Sequence, residues 1–214
     1  VVEELIPYKS ISILSGPSFS NEVIQNLPTA VTLATKDKSN FEKISKLIQN
    51  KEFRVYYSND LLGTQIGGAL KNIYAVAAGI AKGLNLGENA KSALISRSFA
   101  EMTRFAENFK ANKNTLFGLS GLGDLILTCN SDSSRNTQFG IKIASAKNEN
   151  YTDLLKSQEV TEGYYTVEAV YNISKKNNIE MPIMESVYNI LYNQHNLKDE
   201  LTKLLNRPLR DEII

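Results

Sequence analysis

The sequence predicts a mainly α protein, an all-α domain preceded by the last strands of an α/β sheet. Two observations carry that expectation. Over residues 1–57, short β-rich runs recur and stop at turn residues. From about residue 59 the apolar period changes to that of a helix and stays there. At about 150 residues per domain, 214 residues hold one full domain and part of another.

The run Ile11-Ser12-Ile13-Leu14-Ser15 is the first strand and ends at Gly16-Pro17. Residues 30–35 (AVTLAT) and 53–57 (FRVYY) are the second and third. Between them Phe41, Ile44, Leu47 and Ile48 share one face of a helix over about 39–49. Three strands make a poor core by themselves, so this segment is expected to lack partners. A long helix follows over about 61–82. Ile95, Phe99, Met102, Ala106 and Phe109 step by four and three along the next, with Asn89 as its expected cap. Val167, Val170, Tyr171 and Ile173 mark another helix, and Ile183, Val187, Ile190 and Leu191 follow Pro182, which suits a first turn. Leu197, Leu201, Leu204 and Leu205 close the series before Pro208, for six to eight helices after residue 58.

Composition excludes several function classes. Lys+Arg 24 against Asp+Glu 23 leaves a net charge of +1, so no bulk pull toward nucleic acid is expected. The longest apolar run, residues 73–81, falls short of the ~18 residues of a membrane span. One cysteine, Cys129, excludes an internal disulfide and a Cys-cluster metal site, and no metal is expected. One histidine, His195, excludes mechanisms that need two, and it reads as a surface loop residue. The chain opens on Val1 with no apolar signal segment, which points to the cytoplasm and to numbering that begins inside a longer protein.

The standard phosphate and cofactor loops are missing from the sequence. Gly118, Gly121 and Gly123 lie at the wrong spacing for a dinucleotide loop and read as a flexible helix connection. Gly67 and Gly68, adjacent in a helix interior, each cost about 1 kcal/mol relative to alanine, so a close backbone or ligand should offset them. Gly67, Lys71, Ala75 and Gly79 share one face. Desolvation there would lower the Lys71 pKa toward a general-base role; the alternative is a solvated lysine beside a helix-packing seam.

Ser133, Ser134, Arg135 and Asn136 sit at a helix start, where hydroxyl, guanidinium and amide donors suit a phosphate. Ser134 as a plain N-cap beside a solvated Arg135 is the alternative. Asp124 can orient a lysine or cap a helix, and the Gly16-Pro17-Ser18-Phe19 turn can meet a ligand or simply bury Phe19. Cys129 reads as a small buried residue, and Arg97, Glu101 and Arg104 as an ion-pair ladder on a helix face.

Taken in order, GPSFSNEV at 16–23, LPTAVTLAT at 27–35, the long block at 53–105, FGLSGLGDLILTC at 117–129, SSRNTQFG at 133–140, EVTEGYYT at 159–166 and MPIMESVYNILY at 181–192 resemble the bacterial NAD(P)-dependent sn-glycerol-3-phosphate dehydrogenase family. The resemblance implies residues 1–57 as the C-terminal remnant of a Rossmann-type nucleotide-binding domain. It implies 58–214 as a helical substrate domain like that of 6-phosphogluconate dehydrogenase. It makes Lys71 the proton acceptor and gives the substrate Gly16, Ser18, Lys71, Asp124, Ser134, Arg135 and Asn136. Ser20, Arg135, Val160 and Glu162 go to the cofactor, NADPH or NADH; Ser20 stands where the family usually has alanine. Interconversion of sn-glycerol 3-phosphate and dihydroxyacetone phosphate is then the expected activity, feeding glycerophospholipid synthesis, with a homodimer as a further implication.

Family members carry a Gly-rich βαβ loop and a further substrate lysine ahead of the matched region, so this chain alone is expected to be inactive. Two other readings compete. One is a related dehydrogenase of the 6-phosphogluconate or 3-hydroxyacid type, against which the linked LGDL, TC and SRN motifs argue. The other is a non-catalytic helical module that only folds or dimerises.

Overall fold

A computed structural model describes residues 10–146 and 161–209, with Leu5 and Asp211. Strands β1 (Ser12–Ser15), β2 (Thr29–Thr35) and β3 (Phe53–Ser58) form one sheet in the order β1-β2-β3. β1 runs antiparallel to β2, with Ser12 opposite Thr35, and β2 runs parallel to β3, with Val31 opposite Val55. Helix α1 (Ser20–Ile24) joins β1 to β2, and α2 (Lys38–Ile48) crosses from β2 to β3. Asp37 caps α2 by accepting from the Ser39 amide at 2.8 Å. Val31, Leu33 and Val55 pack under Phe41, Ile44 and Phe53 as a small core of their own. α1 has no counterpart in the sequence reading: its five residues bury nothing and so leave no apolar period.

The second and larger core is built on α3 (Leu61–Gly83), whose residues from Ile73 to Ala81 are all buried. Around it lie α4 (Glu88–Asn108), α5 (Lys113–Leu116), a π-helical turn over Leu119–Gly123, α6 (Asp124–Asn130) and α7 (Arg135–Ser145). Then come α8 (Glu162–Lys176), α9 (Pro182–Tyr192) and α10 (Leu197–Leu205). Among the described residues, eight α-helices and no strand follow β3. No helix among them is long and apolar enough to cross a membrane.

Two glycine contacts set the packing of α3. A Cβ on Gly67 would strike the Ser120 carbonyl of the π turn, and one on Gly79 would strike the Thr137 carbonyl of α7. The helix therefore meets both neighbours backbone to backbone, which explains these two residues inside it. Asp60 N-caps α3 by accepting from Gly63 N at 2.9 Å, and its other oxygen accepts from Asn112 N and Thr115 Oγ1 at 3.1 and 2.8 Å. One carboxylate thus ties the end of β3 to both α3 and α5.

Several local expectations are corrected. Gly87, with φ +87°, occupies the N-cap position of α4 and Asn89 lies inside the helix. The 118–123 glycines form a close-packed turn with Ser120 and Gly121 buried, because α3 leaves them no room to be slack. Leu205 points outward at 75% exposure, while Leu197 carries the buried face of α10.

Glu101 is not part of a surface ladder; it is 1% exposed in the helical core. Its Oε1 accepts from Ile183 N at 2.7 Å, and its Oε2 from Met184 N at 3.1 Å and Tyr74 Oη at 3.3 Å. The carboxyl therefore caps α9 and joins it to α3 and α4. Burial raises its pKa from 4.5 to about 7, against the two amides, Arg104 and Tyr74, which favour the charged form. The folded chain thus holds a proton that the unfolded chain releases. The stability contributed is full below pH 4.5 and is lost as pH rises toward about 7. At about 1.4 kcal/mol per pH unit this amounts to about 3 kcal/mol. Urea midpoints across that range should therefore fall more steeply for the unaltered chain than for Glu101→Gln; equal slopes would contradict the assignment.

Candidate active site

The Gly67–Ser120 contact has a direct chemical consequence. The π turn ends at Gly123, so Asp124 opens α6 against the same face of α3. Lys71 lies one turn beyond Gly67 on that face, and its Nζ donates to Asp124 Oδ2. Asp124 is 3% exposed and Lys71 22%, so the lysine is not sealed among glycine and alanine. It stands at the edge of a cleft with a carboxylate behind it. Thr128 Oγ1 donates to the Asp124 carbonyl at 2.6 Å and approaches Oδ1 at 3.3 Å. Thr137 Oγ1 in turn donates to the Thr128 carbonyl at 2.8 Å. Asp124 is therefore held within α6, and α6 in turn is tied to α7.

The cleft has a volume of about 460 Å³ and lies between the end of β1 and α3, with Glu162 at its rim. From the β1 side come Ser15, Gly16 and Ser18; from α3 come Gln65, Gly68, Lys71 and Asn72. Gly16 has φ +143°, and a Cβ there would lie 3.0 Å from Val31 Cα, so the turn admits only glycine without strain. Ser18 Oγ donates to the Gly16 carbonyl at 3.0 Å and holds the turn closed.

The second glycine contact positions the far wall. Where α7 meets α3 at Gly79, Asn136 comes opposite Asn72 and its Nδ2 donates to Asn72 Oδ1 at 3.0 Å. Asn136 Oδ1 accepts from Gly163 N at 2.9 Å, so one buried amide joins α3, α7 and the first turn of α8. Ser134 is the N-cap of α7, accepting from Thr137 N at 3.2 Å, and is itself buried. Arg135 is 70% exposed, with NH1 3.8 Å from Glu162 Oε1, an exposed pair that adds little to stability.

Of the residues singled out in the sequence, Gly16, Ser18, Lys71, Asp124 and Glu162 line one cleft. Ser134 and Asn136 stand behind its wall, bonded to the protein, and Ser20 is exposed at the start of α1. Val160 lies outside the described residues. His195 is half-exposed and pairs through Nδ1 with the buried Glu200 Oε1 at 2.7 Å, away from the cleft residues. Cys129 is buried, and burial pushes its thiol up to about 12, which removes it as a nucleophile. Asn72, Gln65 and Ser15 escaped the sequence reading. Gln65, Gly68 and Asn72 follow one another at helical spacing on α3, and that polar stripe was the available signal.

The chain matches two family models: NAD-dependent glycerol-3-phosphate dehydrogenase C-terminus over residues 60–202, and the corresponding N-terminus over residues 1–41. It is 41% identical over 212 residues to a glycerol-3-phosphate dehydrogenase [NAD(P)+] of Francisella tularensis subsp. novicida, covering 99% of this chain and 64% of the relative. A crystal structure of glycerol-3-phosphate dehydrogenase from Coxiella burnetii superposes with TM-score 0.91 at 36% identity, over 96% of this chain and 63% of that one. The Plasmodium falciparum glycerol-3-phosphate dehydrogenase structure gives TM-score 0.84 at 27% identity, over 95% and 59%. The chain thus spans less than two thirds of the length of these relatives.

Proposed function

The chain belongs to the NAD-dependent glycerol-3-phosphate dehydrogenase family, and from that premise we propose that its cleft carries the proton-transfer half of the interconversion of sn-glycerol 3-phosphate and dihydroxyacetone phosphate. The observation that carries this reading is the Lys71–Asp124 pair, which presents a cation to the cleft from a buried carboxylate. Oxidising a secondary alcohol needs a base for its hydroxyl proton, and reducing the ketone needs an acid for the oxygen that forms. Lys71 serves both: as ammonium it donates to the C2 oxygen of dihydroxyacetone phosphate, and in the other direction it takes the proton back. Asp124 positions Nζ and balances its charge.

The remaining roles belong to the same reading. Gly16 and Ser18 at the strand-end turn border the substrate, and the family resemblance assigns it Ser134, Arg135 and Asn136 at the start of α7 as well. Arg135 offers an exposed guanidinium for a phosphate, and Asn136 acts by holding the wall. A nicotinamide cofactor, NADH or NADPH, supplies or accepts the hydride when bound. The residues toward it are Ser20, Arg135, Val160 and Glu162; the Gly16 turn, which a Cβ would fill, and the exposed Arg135–Glu162 rim suit the polar end of such a group. Residues 1–57 are read as the closing part of a nucleotide-binding domain and 58–214 as the substrate domain. The two separate apolar cores support that division. A homodimer rests on the family resemblance alone.

The test is a chimera in which this chain follows the segment of the Francisella relative that precedes the matched region. It should oxidise glycerol 3-phosphate and reduce dihydroxyacetone phosphate while leaving 6-phosphogluconate untouched. A folded, NADPH-binding chimera that prefers 6-phosphogluconate would overturn the substrate assignment.

A further inference from the structure

Helix α3 contains five glycines, and their surroundings separate them. Gly67 and Gly79 face neighbouring carbonyls, Gly83 faces the Ala144 side chain and the backbone of Ile141, and Gly63 faces the Asp60 cap. Gly68 is different. A Cβ there would meet a single group, the Ser15 hydroxyl, at 2.9 Å, and that group ends a short side chain that can rotate away. Packing within the chain therefore gives no reason for glycine at 68, although it costs the helix about as much as the one at 67.

Position gives the reason. Gly68 lines the cleft three residues before Lys71, and Ser15 lines it from β1 directly opposite. Residues three apart on a helix are neighbours, so whatever accepts the Lys71 proton has its adjoining atoms over Gly68. Among the described residues Ser15 Oγ makes no hydrogen bond, which leaves a hydroxyl free to face that ligand.

Resting on the proposed function, we infer that Gly68 and Ser15 form the floor of the substrate site. The bare Gly68 backbone lets the Ser15 hydroxyl lie against α3 near Lys71, and from there Ser15 hydrogen-bonds the terminal hydroxyl of the triose phosphate. These two residues then set how bulky a substrate can be at the carbon beside the reacting one. A larger side chain at 68 displaces the Ser15 hydroxyl into the substrate's space without touching the proton-transfer pair.

The experiment uses the 214-residue chain joined to the Francisella segment that precedes the matched region, with dihydroxyacetone phosphate as the probe, affinity read by NMR titration and folding by thermal melting. Gly68→Ala is expected to melt at or above the unaltered temperature, since alanine favours the helix. Its affinity is expected to fall about tenfold or more, the effect of crowding by one methyl. Ser15→Ala should weaken the same probe while leaving the melt unchanged. A Gly68→Ala chain that melts lower would show a packing role and overturn the inference. Unchanged affinity in Gly68→Ala beside clear binding by the unaltered chain would overturn it alone. No binding by the unaltered chain would overturn both it and the substrate assignment.

Discussion

Lys71→Ala in the Francisella chimera is expected to lower kcat by about 10²–10⁴-fold, the range that a positioned acid or base contributes. KM for dihydroxyacetone phosphate should move far less, because the phosphate contacts assigned to Arg135 lie elsewhere. The size of the effect follows from what replaces the lysine. Alanine leaves no proton donor at the edge of the cleft, and the nearest described titratable group is Asp124, which is buried and faces the place Nζ held. Water must then protonate the forming alkoxide unaided, and the buried carboxylate beside it repels that charge. NADPH binding should survive, since none of the cofactor residues proposed here touches Lys71. A Lys71→Ala chimera with kcat within a few-fold of its parent would remove the residue from the chemistry.

The largest expected effect on stability lies at Gly79. Gly79→Ala should destabilise the chain by about 3 kcal/mol, at the upper end for overpacking a core. Its Cβ would drive into the Thr137 carbonyl and stand 3.0 Å from Gly140 Cα, both backbone atoms that cannot turn aside. The contact is reciprocal: a Cβ on Gly140 would strike the Val76 carbonyl. α7 would have to move off α3 to admit the methyl, carrying the Asn136–Asn72 bond with it. The urea midpoint reads the outcome, with an unchanged m-value marking loss of stability without loss of compactness. A midpoint within experimental error of the unaltered chain would mean that the α3–α7 contact is looser than these distances require.

The sequence made the fold legible where a period was long enough to be seen. The three strands and helices α2, α3, α4, α8, α9 and α10 each present a repeated apolar face, and each falls within a few residues of expectation. α1 is too short to show one, and the π turn carries no periodic signal at all. Glu101 was misread because helical spacing placed it between two arginines, while burial against α9 depends on a contact 82 residues away. The same limit governs the site. Lys71 stood out because it sits among glycines, but those glycines serve two different ends. Gly67 and Gly79 let other backbones approach, and one of those approaches brings Asp124 to the lysine. That pairing spans 53 residues and is set by where the π turn meets α3, which no local pattern records. Ser134 caps α7, a role its position at a helix start allows, whereas Asn136 is a buried tie between helices that no local pattern announces.

The central claim is that Lys71 and Asp124 act as one proton-transfer unit, and a double-mutant cycle on kcat tests it most directly. Chimeras carrying Lys71→Ala, Asp124→Ala and both changes should show strong non-additivity. Once the lysine is gone, removing the carboxylate that positions it should cost little further, or recover some rate by relieving the buried charge. If the two losses multiply instead, the residues contribute independently and the pair is not the unit that moves the proton.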